Sequence, residues 1–121
     1  MSVHRVYELM TADIVAVPKE TTLSEAVERL ADKNISSMVI TEGNIPVGII
    51  TERDIARIAA MEHGINEIAV SEFMSKNPVA IYKNADIISA LDTMERNRIR
   101  RLVVTDRKGR LRGIITYSDI I

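Results

Sequence analysis

The pattern Gly-Ile-Ile-Thr-x-x-Asp occurs twice in this chain, as Gly48 to Asp54 and as Gly113 to Asp119. Apolar residues running into Thr-x-x-Asp place the end of a strand against the start of a helix. Backbone N–H groups at a helix start are unpaired and attract anions. The Thr hydroxyl can cap the helix or touch a phosphate. The Asp, three residues on, faces the same opening and can accept both hydroxyls of a ribose. The same Thr and Asp also read as a capping box, which would make them purely structural. Duplication of the whole phrase, each copy following a hairpin, favours a ligand site. A cation for the anion is at hand. Eight of the 16 Lys and Arg residues lie between positions 96 and 112: Arg96, Arg98, Arg100, Arg101, Arg107, Lys108, Arg110 and Arg112. Most of them form a solvated face and a charged hairpin, and one or two are expected to meet an anion.

Several other chemistries are disfavoured. Thr51 and Thr116 have no neighbouring base that would make them nucleophiles. No carboxylate pair has a context for acid–base catalysis, so no catalytic residue and no enzyme activity is expected. His4 and His63 share no metal-ligand spacing, and no metal site is expected. The absence of cysteine excludes disulfides, thiolate metal sites and a Cys nucleophile, and fits a reducing cytoplasm. Tyr7, Phe73, Tyr82 and Tyr117 are too few for a single-stranded nucleic-acid platform. The net charge of −1 is that of no polyanion binder. No apolar run reaches the ~18–20 residues that span a bilayer.

The elements around the motif are also duplicated. A shift of 64 positions aligns Val6-Tyr7-Glu8-Leu9-Met10 with Val70-Ser71-Glu72-Phe73-Met74, and Val39 with Val103. One extra residue then enters the second copy, and a shift of 65 aligns the two Gly-Ile-Ile-Thr phrases. The insertion falls between Glu42-Gly43-Asn44 and Asp106-Arg107-Lys108-Gly109, where a turn tolerates it. In each copy a short strand (Ile14 to Val17; Val79 to Tyr82) precedes a helix. Leu23, Ala26, Val27 and Leu30 form one apolar face, and Ile87, Ala90, Leu91 and Met94 the other. Thr22 with Glu25 forms a capping box, and Asp86 caps the second helix. Two strands joined by a glycine-bearing turn follow. A further helix opens after Thr51 and stops near Gly64. The segment from Ile65 to Phe73 looks helical. The order β-α-β-β-α predicts an α/β fold of the α+β type, with repeats over 1–64 and 65–121. One copy cannot bury its sheet face alone, so the two are expected to pack about a pseudo-twofold axis.

Taken in order, Val-x-Glu-φ-Met-(Thr/Ser), Leu/Ile-x-x-Ala, Ile-x-x-φ-Val-φ-Thr and Gly-Ile-Ile-Thr-x-x-Asp (φ, apolar) resemble the cystathionine-β-synthase (CBS) domain pattern, twice over. The resemblance implies a regulatory, ligand-sensing module that binds AMP, ADP, ATP or S-adenosylmethionine between the two copies. The nucleotide would be a regulatory ligand rather than a catalytic cofactor. It further implies a homodimer and a regulated enzyme or transporter as partner. The stretch from Arg100 to Asp119 is similar to a nucleotide-contacting copy in the γ subunit of AMP-activated protein kinase. By that likeness Arg101 meets phosphate, Thr116 and Ser118 give hydroxyl contacts, and Asp119 holds the ribose. Thr11, Asp13, Val15, Ile35, Ser36 and Ser37 serve the adenine side of this first cleft. A second cleft would draw on Ser75, Asn77, Val79, Ile99 and Arg100 with Thr51, Arg53 and Asp54. There the uncharged Ser37 stands at the position of Arg101, with Arg53 in place of Ser118. Tighter binding of phosphorylated ligand is therefore expected in the first cleft. A module that docks a partner with empty clefts is the alternative. Because the sequence stops at Ile121, the counterpart of the helix after Asp54 is not in it. Asp119 is expected to fray, and an apolar patch is expected beside it.

Overall fold

The computed structural model describes residues 3–33, 37–60 and 67–121, and the chain divides into two compact units. One unit comprises Val15–Asn77, and the other Met1–Ile14 with Pro78–Ile121.

In the Val15–Asn77 unit the elements are β1 (Ala16–Pro18), α2 (Leu23–Lys33), β2 (Ser37–Glu42), β3 (Ile45–Thr51), α3 (Glu52–Ala59) and β4 (Ser75–Lys76). The other unit holds α1 (Val6–Leu9), β5 (Ala80–Tyr82), α4 (Ile87–Asn97), β6 (Arg101–Thr105), β7 (Leu111–Thr116) and α5 (Tyr117–Ile120). Both follow the expected β-α-β-β-α order. Strand register carries the repeat: Ala16 pairs with Val39 and Ala80 with Val103, both in parallel. Val39 then pairs with Ile49 and Val103 with Ile114, both antiparallel. The register slips at the same place in each hairpin, between Ile40 and Thr41 and between Val104 and Thr105. The extra residue of the second copy therefore lies in the turn. Gly43 and Gly109 supply the positive φ there, at 65° and 78°.

The helices start as their side chains dictate. Glu25 N donates to Thr22 Oγ1 at 3.2 Å, and Ser89 N donates to Asp86 Oδ1 at 2.8 Å. Each apolar stripe then faces its own sheet. Ala26, Leu30, Met38, Ile40 and Ile50 form one core, and their repeat counterparts Ala90, Met94, Leu102, Val104 and Ile115 form the other. Val27 is the exception on the first stripe and stays 40% exposed.

The lead-in segments exchange. Val6, before the first copy, is fully buried in the core of the second, and its N–H donates to Ala85 O at 2.8 Å. Val70, before the second copy, is fully buried in the core of the first, donating to Thr21 O at 2.7 Å. The expectation of a helix over Ile65–Phe73 fails over its described part. Ala69 is extended and bridges Thr22, so only a 3-10 turn at Val70–Glu72 forms. The bonds from Val70 N to Thr21 O and from Leu23 N to Ile68 O take backbone groups that a continuous helix would use. The expected stop near Gly64 lies outside the described residues, and α3 is described to Ala59.

Asp106 organises the charged hairpin. Its carboxylate accepts from Lys108 N (2.9 Å), Arg110 N (3.0 Å) and Arg110 Nε (2.8 Å). Desolvation pushes its pKa up, but the bonds from Arg110 and Lys108 outweigh it and hold the carboxyl below its ordinary 3.8. A carboxylate whose pKa is depressed by folding stabilises the fold above its unfolded pKa, and that stabilisation is lost as pH falls through the folded value. Acid titration of the parent is expected to show a loss of stability below pH 3.8 that the Asp106→Asn variant lacks. Parallel parent and variant curves, from urea melts across that range, would count against this role.

Candidate functional site

The Gly-Ile-Ile-Thr-x-x-Asp phrase forms the same strand-to-helix turn in both units. Thr116 is the N-cap of α5: Thr116 N donates to Asp119 Oδ2 at 2.8 Å, and Asp119 N donates to Thr116 Oγ1 at 3.2 Å. Thr51 caps α3 in the same way, with bonds of 2.9 and 3.3 Å. The capping reading is therefore correct for both pairs. The reciprocal bonds that hold Asp119 close within the first helical turn.

Capping consumes only part of each carboxylate. Asp119 Oδ2 takes the Thr116 N–H, and among the described residues Oδ1 has no hydrogen-bond partner. In the other unit Arg57 reaches Asp54 Oδ1 at 3.4 Å, and Thr51 Oγ1 donates to Oδ2 at 3.1 Å. The two aspartates thus differ in what they can still accept.

Strand pairing brings a cation to one of these turns. Arg101 opens β6 directly opposite Thr116, the last residue of β7. Ser37 opens β2 directly opposite Thr51. The register makes Ser37 the counterpart of Arg101, as the alignment required. Beside Thr116, the Ser118 hydroxyl lies 3.1 Å from Thr116 Oγ1. Exposed Thr11 completes this edge: its N–H donates to Ile114 O at 2.8 Å and Ile114 N donates back at 3.0 Å. Asp13, two residues on, is exposed. Thr11, Asp13, Arg101, Thr116, Ser118 and Asp119 consequently all belong to one unit.

The remaining candidates are placed as follows. Val15 is buried, and its carbonyl accepts from Val39 N at 3.0 Å. Val15 and Ser37 belong to the Val15–Asn77 unit, and Ile35 and Ser36 lie outside the described residues. In that same unit Ser75 pairs with Ile49 on β4, Asn77 follows in the left-handed conformation (φ 54°), and Arg53 is exposed. Val79 and Ile99 pack against the core of the other unit. Arg100 is committed locally. Its guanidinium sits 4.5 Å from the centre of the Tyr117 ring, and its carbonyl accepts from Tyr117 N at 2.8 Å. His4 pairs with Glu8 at 3.3 Å on the surface, and His63 lies outside the described residues.

The motif glycines have a role that sequence reasoning did not assign. A Cβ on Gly113 would lie 2.6 Å from the carbonyl oxygen of Thr11. One on Gly48 would collide with the Met74 side chain. Each glycine admits the lead-in segment that crosses its strand.

The CBS domain family model matches residues 6–60 and 70–121. The chain belongs to the CBS-domain family. This CBS protein is 33% identical over 109 residues to arabinose 5-phosphate isomerase KdsD of Francisella tularensis, a match covering 90% of the chain and 33% of the isomerase. The chain thus spans a third of that relative's length. Among solved structures it is similar to the CBS domain protein PAE2072 from Pyrobaculum aerophilum complexed with AMP, with a TM-score of 0.83, 26% identity, and coverage of 96% and 89% of the two chains. It is equally similar to the CBS domain pair of protein MJ0100 in complex with 5′-methylthioadenosine and S-adenosyl-L-methionine, with a TM-score of 0.82, 26% identity, and coverage of 98% and 94%. Among the described residues, no helix is long and apolar enough to cross a membrane.

Proposed function

We propose that this chain is a non-catalytic regulatory module that binds an adenine nucleotide and associates as a homodimer. One observation carries the reading: pairing of β6 with β7 sets Arg101 opposite Thr116, beside the Ser118 hydroxyl and an aspartate with an uncommitted oxygen. A guanidinium suits a phosphate, and a carboxylate suits the two hydroxyls of a ribose. The AMP complex of the Pyrobaculum relative supports that ligand class. Val15, Ile35, Ser36 and Ser37 are assigned to the base side as part of the same proposal. So is the second set, Ser75, Asn77, Val79, Ile99 and Arg100 with Thr51, Arg53 and Asp54.

A second reading has its own observation. At the other turn Ser37 replaces the cation and Arg57 occupies an oxygen of Asp54. That turn suits an adenosyl ligand without phosphate, the class present in the MJ0100 complex.

Calorimetric titration with AMP, ADP, ATP, adenosine and S-adenosylmethionine tests both readings. Micromolar binding of a phosphorylated ligand, without turnover of ATP, is the expected result. No binding by any of the five below millimolar concentration would instead leave a partner-docking module.

A further inference from the structure

The chain has no cysteine, so methionine supplies all of its sulfur. Four methionines fall among the described residues: Met10, Met38, Met74 and Met94. Met38 and Met94 are buried, one in each core, whereas Met10 and Met74 are half-buried and pack against those cores from outside. Each core therefore has one thioether shut away from solvent and one within its reach. The two reachable ones are repeat counterparts, paired by the shift of 64 positions.

They are also placed alike. Each ends a lead-in segment and fills the space where a motif glycine has no side chain. Met10 Sδ lies 3.0 Å from where a Cβ on Gly113 would stand, and the Met74 side chain occupies the corresponding place on Gly48. The residue after each methionine pairs with the residue after that glycine: Thr11 with Ile114, and Ser75 with Ile49. The first pairing is a single bridge and the second belongs to a strand of two residues. Pairings so short are marginal alone, and the thioether on the glycine adds the apolar contact that holds each segment to its strand.

Oxidation would remove that contact. The sulfur lone pair attacks one oxygen of hydrogen peroxide, the O–O bond breaks and an S–O bond forms. The departing hydroxide takes up the second proton as water. The sulfur loses two electrons and the peroxide gains them. The sulfoxide is bulkier and polar, and a polar group without a hydrogen-bond donor is costly against a core. At Gly113 the same small space already holds the Thr11 carbonyl oxygen, 2.6 Å from the Cβ position. That atom is an acceptor and has no proton to offer. We propose that Met10 and Met74 are paired, reversible oxidation sites for hydroperoxides, and that their sulfoxides free the lead-in segments from β7 and β3. A thiol-dependent sulfoxide reductase reverses the change, returning the oxygen as water and leaving two thiols as a disulfide. Thr11 and Ser75 stand in the sets assigned to the nucleotide, so oxidation also weakens AMP binding. That last consequence alone rests on the nucleotide reading above.

A timed exposure of the whole chain to hydrogen peroxide, followed by peptide mass spectrometry, reads the sites directly. Met10 and Met74 should gain an oxygen about tenfold faster than Met38 and Met94. The oxidised chain should melt about 5–10 °C lower and bind AMP about tenfold more weakly. Treatment with the two epimer-specific sulfoxide reductases and dithiothreitol should restore both. Met10→Leu combined with Met74→Leu conserves apolar volume and leaves Met1, Met38, Met61 and Met94 in place. Its melting temperature should not respond to the same exposure. Oxidation of Met38 and Met94 as fast as Met10 and Met74 would overturn the proposal, as would an equal fall in melting temperature in the doubly substituted chain. If the unoxidised parent bound no AMP, the nucleotide reading would fail, and the peptide masses and melting temperatures would still decide the oxidation sites.

Discussion

Replacing Arg101 by alanine is expected to weaken AMP binding by roughly 10- to 100-fold while leaving adenosine binding within about twofold of the parent. The contrast follows from what each ligand offers a guanidinium. A charge-assisted hydrogen bond to phosphate contributes about 1.5–3 kcal/mol, and adenosine has no phosphate to receive it. Arg101 is the residue to change because strand pairing sets it opposite Thr116, in line with the two hydroxyls and the carboxylate that follow. Its neighbour Arg100 is a poorer candidate for that phosphate. Arg100 is already stacked on Tyr117, so its removal first costs a local packing contact. The reciprocal change, Ser37→Arg, puts a cation at the equivalent position of the other copy. It is expected to raise the number of AMP molecules bound tightly per chain from one to two. Parallel calorimetric titrations with AMP and adenosine decide the matter. An Arg101→Ala protein that bound AMP like the parent would remove Arg101 from the phosphate site.

Much of this was legible in the sequence because the chain contains its own control. Two copies that agree at Ala26 and Ala90, or at Thr51 and Thr116, reveal which positions the fold reuses, and the strand registers reproduce the shifts of 64 and 65 residues. The caps at Thr22, Thr51, Asp86 and Thr116 were readable because their bonds span three residues. What escaped was non-local. The Ile65–Phe73 segment has helical composition, but Val70 N donates to Thr21 O and Leu23 N donates to Ile68 O, which pairs Ala69 with Thr22, 47 positions earlier. Local periodicity contains no trace of that pairing. The exchange of lead-ins was hidden for the same reason. The alignment of Val6 with Val70 shows that the two are equivalent, yet says nothing about which core each enters. Spacing alone places Val27 on the buried stripe. Its counterpart Leu91 is half-buried, and both copies leave this position outside their cores.

The glycines of the repeated phrase turn this last point into a measurement. Gly113→Ala is expected to destabilise the chain by about 2–3 kcal/mol, lowering Tm by roughly 10 °C. The added methyl would sit 2.6 Å from Thr11 O and 3.0 Å from Met10 Sδ. The carbonyl cannot retreat freely, since Thr11 is tied to Ile114 by two backbone bonds of 2.8 and 3.0 Å. Relieving the clash means stretching those bonds and drawing Met10 away from the core it packs against. At Gly48 the obstacle is a methionine side chain rather than backbone, and a flexible thioether can partly move aside. Gly48→Ala should therefore cost less. Gly43 separates close approach from backbone conformation: alanine there would meet nothing within 4 Å and would bear only the strain of a positive φ, about 1 kcal/mol. The expected order of melting temperatures is Gly43→Ala above Gly48→Ala above Gly113→Ala. If Gly113→Ala melted with or above Gly43→Ala, the lead-in would not be clamped against β7. The consequence for function is direct. The strand that Gly113 opens to the lead-in ends three residues later at Thr116, so the same short phrase fixes the exchange of segments and presents the hydroxyls and carboxylate assigned to the nucleotide.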